Sequence, residues 1–294
     1  MIQKPFLRTN NGLNNLPKFS KSDLIAYTEG GKKSYSIIQI DKGEFSSQSV
    51  DIDFWREVLN IHGCNRKIYF RAIGSKTCGE EITRRIISGD IKNTIIFKDK
   101  DLDNYLGKYI NHTNIVYTKG YSWENDVFTQ KVILGIIRNY IFSDIPESKI
   151  INIEDTFKEF YKIGNKLIRI ELIFRNLGIR FLTAFKGEAL VQNGKINIQF
   201  IINELKKVSK SESIKRPLKF VKIKHSFDSN LDCYGKIFEN LAYQLSVNII
   251  KELTDIKGLS KEIFQKNALS SFFQELRAIQ DPYYKQIAER INVA

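Results

Sequence analysis

Residues 94–103 read TIIFKDKDLD, an apolar run followed at once by three aspartates at alternate positions. The β-branched and aromatic content of the run favours a buried strand. Similar short runs occur before and after it, at 24–28 (LIAYT), 67–72 (KIYFRA) and 114–118 (NIVYT). Two segments between these runs, 53–61 and 77–88, have apolar residues at helical spacing. Strands that alternate with helices predict an α/β fold with a parallel sheet and flanking helices.

The pattern changes near residue 128. Beyond it, apolar residues recur at helical spacing in one segment after another, which predicts a mostly helical C-terminal region. We therefore predict an N-terminal arm at 1–22, a catalytic α/β domain at 23–128 and a mostly helical domain at 129–294. The alternation in 35–40 (YSIIQI) predicts a further strand, as one arm of a hairpin inside an insertion at 30–52.

Composition indicates a globular chain that carries excess positive charge. Apolar residues make up 42% of the 294, and the formal net charge is +13. A field of that sign attracts polyanions such as nucleic acid, although solubility alone is an alternative explanation. The three cysteines show no zinc spacing, and no signal-like or membrane-spanning stretch is visible. We expect a cytoplasmic protein with no membrane partner.

The three aspartates are the strongest chemical signal. Asp99, Asp101 and Asp103 directly follow an apolar strand, and alternate residues of an extended chain point the same way. Crowded carboxylates repel unless a cation neutralises them, and oxygen ligands suit Mg²⁺ or Mn²⁺. Such an ion can position a phosphodiester and activate water. A solvated acidic turn, with the neighbouring lysines as partners, is the alternative.

Two further carboxylates follow other predicted strands. Glu29 ends the 24–28 run and is followed by two glycines, and Glu124 comes soon after the 114–118 run. Ligands of parallel sheets bind at the carboxyl ends of the strands. Carboxylates follow three of the predicted strands. Together they predict a shared acidic site more strongly than any single carboxylate does.

Over residues 24–128 this pattern resembles the Toprim nucleases of the OLD-like and PARIS anti-phage families. The segment 27–31 (YTEGG) resembles the Glu-Gly motif, 99–103 (DKDLD) resembles the metal-binding Asp motif, and 117–125 (YTKGYSWEN) resembles the Thr-to-Glu-Asn segment. Gly74 falls where the family has a glycine turn before a helix. Asp53 stands at an acidic-aromatic helix start that in the family follows the Glu motif sooner.

The resemblance implies a Mg²⁺- or Mn²⁺-dependent nuclease. It implies catalytic roles for Glu29, Asp99, Asp101 and Glu124, and metal ligation by Glu29, Asp99, Asp101 and Asp103. For the PARIS branch it implies the toxin of an antiviral, abortive-infection system. Such a toxin is held silent by an ABC-type ATPase partner, dimerises when a phage protein releases it, and cleaves tRNA.

A second candidate binding feature is the basic segment, residues 206–224. Eight cations lie within these 19 residues, against one acid, Glu212. They are Lys206, Lys207, Lys210, Lys215, Arg216, Lys219, Lys222 and Lys224. Such a segment can track a nucleic-acid backbone, or it can be a solvated linker. Two other function classes stay open: a catalytically degenerate basic subunit that binds nucleic acid or an ATPase, and a DNA-cleaving Toprim nuclease.

Overall fold

The structure is a computed structural model that describes residues 15–31, 33–141, 143–210 and 225–293. Its first part contains, in chain order, α1 (Leu16–Ser20), β1 (Leu24–Thr28), α2 (Ile37–Asp41), α3 (Val50–Ile61), β2 (Ile68–Ala72), α4 (Lys76–Ile87), β3 (Thr94–Lys98) and β4 (Ile115–Tyr117). The remainder contains α5 (Trp123–Val127), α6 (Gln130–Arg138), α7 (Glu147–Asn176), α8 (Gly187–Leu190), β5 (Val191–Gln192), β6 (Lys195–Ile196), α9 (Ile198–Ser209), α10 (Ser229–Asp232), α11 (Gly235–Leu253), α12 (Lys261–Ile279) and α13 (Pro282–Val293). The predicted α/β class with a mostly helical C-terminal region is confirmed.

The sheet that positions the candidate site has four strands in the described chain, in the order β2-β1-β3-β4. Every pairing within it is parallel. From β1 the chain crosses to one side to form β2, and it then returns to the other side of β1 to form β3. The gap between β1 and β3 is therefore the topological switch point, where open α/β sheets form a crevice beyond the carboxyl ends of their strands.

The central strands β1 and β3 are buried along their whole length, because helices cover both faces of this parallel sheet. Residues of alternating parity on β1 point to opposite faces. Ile25 and Tyr27 belong to a core cluster that includes Ile82 of α4. On the other face, Trp55 of α3 packs on Phe97 of β3, with ring centroids 4.5 Å apart. The sheet is thus packed between α4 on one face and α3 on the other.

The chain folds into two compact units that are interleaved along the sequence. Unit 1 comprises residues 1–99, 110–118 and 273–294, and unit 2 comprises 100–109 and 119–272. Unit 1 holds the sheet, α1–α4 and α13, whose Tyr284 meets Phe54 and Trp55 of α3. Unit 2 holds the helices from α5 to α11 and the small β5–β6 hairpin. In this grouping residues 119–128 belong to unit 2, and α13 belongs to unit 1, where it packs on α3.

Two local predictions are wrong. The segment predicted as a hairpin strand forms α2 instead, because Ser36 and Gln39 make a capping box that starts a helix. The aspartate segment is a turn rather than an extended strand, and Asp101 has a φ of +48°. An αL residue breaks the two-residue alternation, so Asp99, Asp101 and Asp103 do not share one face of a strand. Within the described ranges, no helix is long and apolar enough to cross a bilayer.

Candidate active site at the sheet edge

The predicted acidic residues divide between the two units. Glu29 and Asp99 belong to unit 1, whereas Asp101, Asp103 and Glu124 belong to unit 2. In unit 1, Glu29 directly follows β1 and Asp99 directly follows β3. The Glu29 amide donates to the carbonyl of Phe97 at 3.3 Å, so the backbone pairing continues to the strand ends. These two carboxylates therefore stand at the switch point of the sheet.

Glu29 is held by a buried lysine on the neighbouring strand. The Lys98 Nζ donates to Glu29 Oε1 at 2.6 Å, and the side chains are only 4% and 9% exposed. Alternation explains the meeting, since Glu29 continues the face of Ile25 and Tyr27. A buried hydrogen-bonded ion pair at this distance limits the motion of both side chains. Glu29 is thus an oriented carboxylate at the strand end.

A glycine of α4 makes room for that carboxylate. A Cβ on Gly79 would lie 2.6 Å from Glu29 Oε1 and 3.0 Å from its Cγ. Gly79 is itself buried in the first turns of α4, behind the N-cap Ser75. Glycine is normally disfavoured inside a helix, so its presence here matches the close approach of the Glu29 side chain.

A second glycine makes room for a carboxylate that the sequence analysis did not single out. A Cβ on Gly30 would lie within 2.2 Å of the carboxyl atoms of Asp51, in the first turn of α3. Asp53, which the resemblance had suggested, is exposed and forms an ion pair with Arg56 at 3.4 Å. The missed signal was Ser49, the N-cap of α3: the helix begins at Val50, three residues before Asp53, and this earlier start places Asp51 at the sheet edge.

The described residues supply oxygen donors for a divalent cation but no closed cage. Among them, no group of three or more His, Cys, Asp or Glu side chains is arranged to hold a metal ion. The carboxylates near the β1 and β3 ends, Asp51 and Asp99 with Glu29, have the hard-oxygen chemistry of Mg²⁺ ligands. Mg²⁺ is commonly held through one or two carboxylates, with water and substrate phosphates completing the shell. The donor set therefore fits such an ion without a dedicated protein cage.

In unit 2, Asp101 and Asp103 belong to the turn between β3 and β4. The Asp101 amide donates to the carbonyl of Tyr121 at 2.7 Å, which fixes the turn. Burial raises the pKa of the Tyr121 phenol well above 10.0, and the negative charge of Asp101 adds to that rise. Asp103 is buried, at 6% exposure. The carboxylates of this motif therefore differ in environment, with Asp101 the more accessible.

Glu124 lies in a buried charge network of unit 2. Its carboxylate accepts from Lys236 Nζ at 2.6 Å, and Lys236 also contacts Glu239 at 2.9 Å. Burial alone would raise the pKa of Glu124, but the charge and hydrogen bonds of Lys236 and Ser122 bring it below the ordinary value. Glu124 is consequently a paired anion that fixes α5 against α11.

Part of the basic segment is described. Lys206, Lys207 and Lys210 are exposed at the end of α9, and Lys207 pairs with Glu204 at 2.5 Å. The other five cations lie outside the described residues. They are Lys215, Arg216, Lys219, Lys222 and Lys224.

The cysteines and the buried histidine have structural environments. All three cysteines are free thiols, and burial raises the pKa of Cys78 to about 11. His62 is buried, and its Nδ1 lies 2.8 Å from the carbonyl oxygen of Val58. Neither points to nucleophilic or zinc chemistry.

Comparison with known proteins adds no relative, because no family model and no curated protein matches the chain.

Proposed function

We propose that this chain is a metal-dependent nuclease of the Toprim type. The single observation that carries the proposal is the position of Glu29 and Asp99, which follow neighbouring parallel strands at the switch point of the sheet. An acidic crevice at that point is chemically suited to a hard cation and the phosphate that it binds. The net charge of +13 supports a polyanionic substrate.

Within unit 1 the residues have separable roles. Glu29 is positioned to take or give the proton that moves during phosphodiester cleavage. Lys98 fixes the direction of the Glu29 carboxylate through a 2.6 Å ion pair. Asp99 is the proposed metal ligand of the β3 end, and Asp51 is a further candidate at the β1 end. Gly30 leaves the space beside the β1 end that the Asp51 carboxylate fills.

A divalent Mg²⁺ or Mn²⁺ would neutralise the aspartates, hold the scissile phosphate and lower the pKa of an attacking water. Asp101 and Asp103 stay predicted ligands from the sequence motif. For Glu124, the pairing with Lys236 favours a role in holding α5 in place over a direct chemical role.

The substrate and the biological setting rest on the Toprim resemblance. It makes tRNA the proposed substrate and an ABC-type ATPase the proposed partner, with a homodimer as the active form of a defence toxin. Two other functions remain candidates. One is a DNA-cleaving Toprim nuclease, and the other is a degenerate basic subunit that binds nucleic acid or an ATPase without cutting.

The test compares four proteins in one cleavage assay. Wild type, Asp99→Asn, Asp51→Asn and Asp53→Asn are incubated with tRNA and with DNA, each in Mg²⁺ or in EDTA. Asp51 and Asp53 are a matched pair, because both lie in the first turn of α3 and only Asp51 reaches the sheet edge. Circular dichroism spectra check that all four proteins are folded.

We expect cleavage by wild type and Asp53→Asn only in Mg²⁺, with a loss of at least about a hundredfold in Asp99→Asn. Asp51→Asn should fall between them. Cleavage of DNA but not tRNA would select the second candidate function. Full activity of Asp99→Asn, or undiminished cutting in EDTA, would show that the assigned site is wrong.

A further inference from the structure

Three aromatic rings form a cluster on the surface of unit 2. The Tyr105 ring lies 5.2 Å from His225 and 5.1 Å from Phe227 between centroids, and His225 and Phe227 are 6.4 Å apart. His225 is exposed, and the other two residues are half-buried. The three pairs meet at 58°, 66° and 61°, so none of these pairs is a parallel stack. We call these three residues the aromatic cluster.

One ring of the cluster is fixed by a buried acid. The Tyr105 hydroxyl donates to Asp232 Oδ2 at 2.6 Å. Asp232 is only 5% exposed, and its Oδ2 also accepts from the Asp228 amide at 2.9 Å. A ring held in one orientation loses little conformational freedom when a ligand stacks on it.

A row of cations on α7 leads to the cluster. Lys162, Lys166 and Arg169 are exposed and spaced by four and three residues, which places them on one face of the helix. The row extends about 10 Å along the helix axis. At its end, the Arg169 guanidinium lies 5.4 Å from the centre of the Phe227 ring and donates to the His225 carbonyl at 3.4 Å. The row and the cluster thus form one continuous surface.

The acids beside this surface have roles in the fold. Asp232 holds Tyr105, and Asp228 accepts from the Asn230 amide at 2.8 Å as the N-cap of α10. In the sequence, the basic segment 206–224 ends directly before His225. Cations therefore flank the aromatic cluster both on α7 and along the chain.

This combination of charge and rings matches a single strand of nucleic acid. Each nucleotide repeats one phosphate and one planar base, so cations beside aromatic rings meet both groups. A base inside a duplex is stacked on its neighbours, whereas an unpaired base is free to stack on a side chain. An acidic protein surface would use the cations alone.

We propose that the α7 row and the aromatic cluster bind an unpaired segment of the nucleic-acid substrate, with phosphates on the row and a base on the cluster. The proposal rests on the proposed function. Tyr105 belongs to the same turn as Asp101 and Asp103, the metal ligands that the sequence motif predicts. A base held on the cluster therefore brings its strand to that turn. Stacking tolerates every base, so this surface selects an unpaired strand and not a particular base.

The test separates stacking from charge. Fluorescent oligodeoxythymidylate and an abasic strand with the same sugar and the same number of phosphates are titrated with protein in EDTA, and anisotropy gives each affinity. The proteins are wild type, Tyr105→Leu, Tyr105→Phe and Phe227→Leu. Tyr105→Phe is the matched control, because it loses the hydrogen bond to Asp232 as Tyr105→Leu does but keeps the ring.

We expect wild type to bind the thymidylate strand about tenfold more tightly than the abasic strand. Tyr105→Leu and Phe227→Leu should remove most of that ratio, and Tyr105→Phe should keep it. Equal affinity of wild type for the two strands, or an undiminished ratio in both leucine variants, overturns the stacking surface. An equal loss in Tyr105→Phe and Tyr105→Leu would assign the effect to the hydrogen bond and contradict a role for the ring.

The cation row has its own readout. Arg169→Gln should reduce the slope of log K against log salt by about 0.7, the value for one phosphate contact on a single strand. Lys251→Gln removes one exposed charge from α11 of the same unit and should leave the slope unchanged. An unchanged slope in Arg169→Gln would remove the row from the binding surface.

Cleavage of tRNA in Mg²⁺ is measured separately on the same proteins, so the two proposals can fail independently. Cleavage by a wild type that does not prefer the strand with bases would leave the nuclease standing and remove this surface. A preference for bases without cleavage would support this surface and contradict the nuclease.

Discussion

Gly79→Ala is a test of how tightly the fold positions Glu29. The added Cβ would lie 2.6 Å from Glu29 Oε1, whereas ordinary van der Waals separation begins near 3.4 Å. The carboxylate must therefore move by about 0.8 Å, and a misplacement of roughly 1 Å can cost about a hundredfold in rate. The Glu29 side chain is unchanged in Gly79→Ala. We nevertheless expect the cleavage rate of this variant to fall about a hundredfold.

Stability should hardly change in this variant. Alanine in place of a helical glycine gains up to about 1 kcal/mol, which offsets the strain on the Glu29–Lys98 pair. Gly135→Ala in α6 is the matched control, since the nearest atom to its added Cβ is 3.5 Å away. Cleavage rates on labelled tRNA and urea unfolding give the two readouts. If Gly79→Ala cleaves at the wild-type rate while Glu29→Gln is inactive, the position of the carboxylate does not limit the reaction.

Three other perturbations follow from the charge pairs and the basic segment. Lys98→Met should lower the free energy of unfolding by about 3 kcal/mol, because it removes the buried ion pair with Glu29, and adding Glu29→Gln should recover part of that loss. Glu124→Gln should cost about 2 kcal/mol at pH 7, since half-exposed Lys236 keeps Glu239 as a second partner. The pKa of Glu124 is lowered in the fold, so the stability difference between wild type and Glu124→Gln is present above pH 4.5 and should vanish as the pH falls below that value. Urea unfolding of wild type and Glu124→Gln at several pH values checks it. Neutralising the three described lysines of the basic segment should reduce the slope of log K against log salt by roughly 0.7 to 0.9 for each phosphate that the variant no longer binds, and an unchanged slope would identify the segment as a linker.

The elements that carry strong local signals could be predicted from sequence. The strands β1, β2, β3 and β4 are short β-branched and aromatic runs, and α4 and α11 have continuous helical spacing, so local composition was sufficient. The segment at α2 misled because its isoleucines also suit a strand. There a capping box, formed by Ser36 and Gln39 three residues apart, outweighed the period-two pattern.

The candidate site could be predicted only in part. The strand-end positions of Glu29 and Asp99 follow from the chain pattern, because parallel strands share one carboxyl edge. The Lys98 partner of Glu29 is 69 positions away, and its identity depends on strand register. The contacts of Lys236 with Glu124 and of Asp51 with Gly30 also join residues that are distant in sequence, so local spacing could not predict them.

The central claim is tested most directly by single-turnover cleavage of end-labelled tRNA by wild type and Glu29→Gln. The reaction is run in Mg²⁺, then in EDTA, and then with Mg²⁺ restored in excess. We predict that wild type cuts, stops and resumes, and that Glu29→Gln binds the tRNA but does not cut it under any of the three conditions. Equal cutting by Glu29→Gln, or cutting by wild type that persists in EDTA, would contradict a metal-dependent site at the ends of β1 and β3.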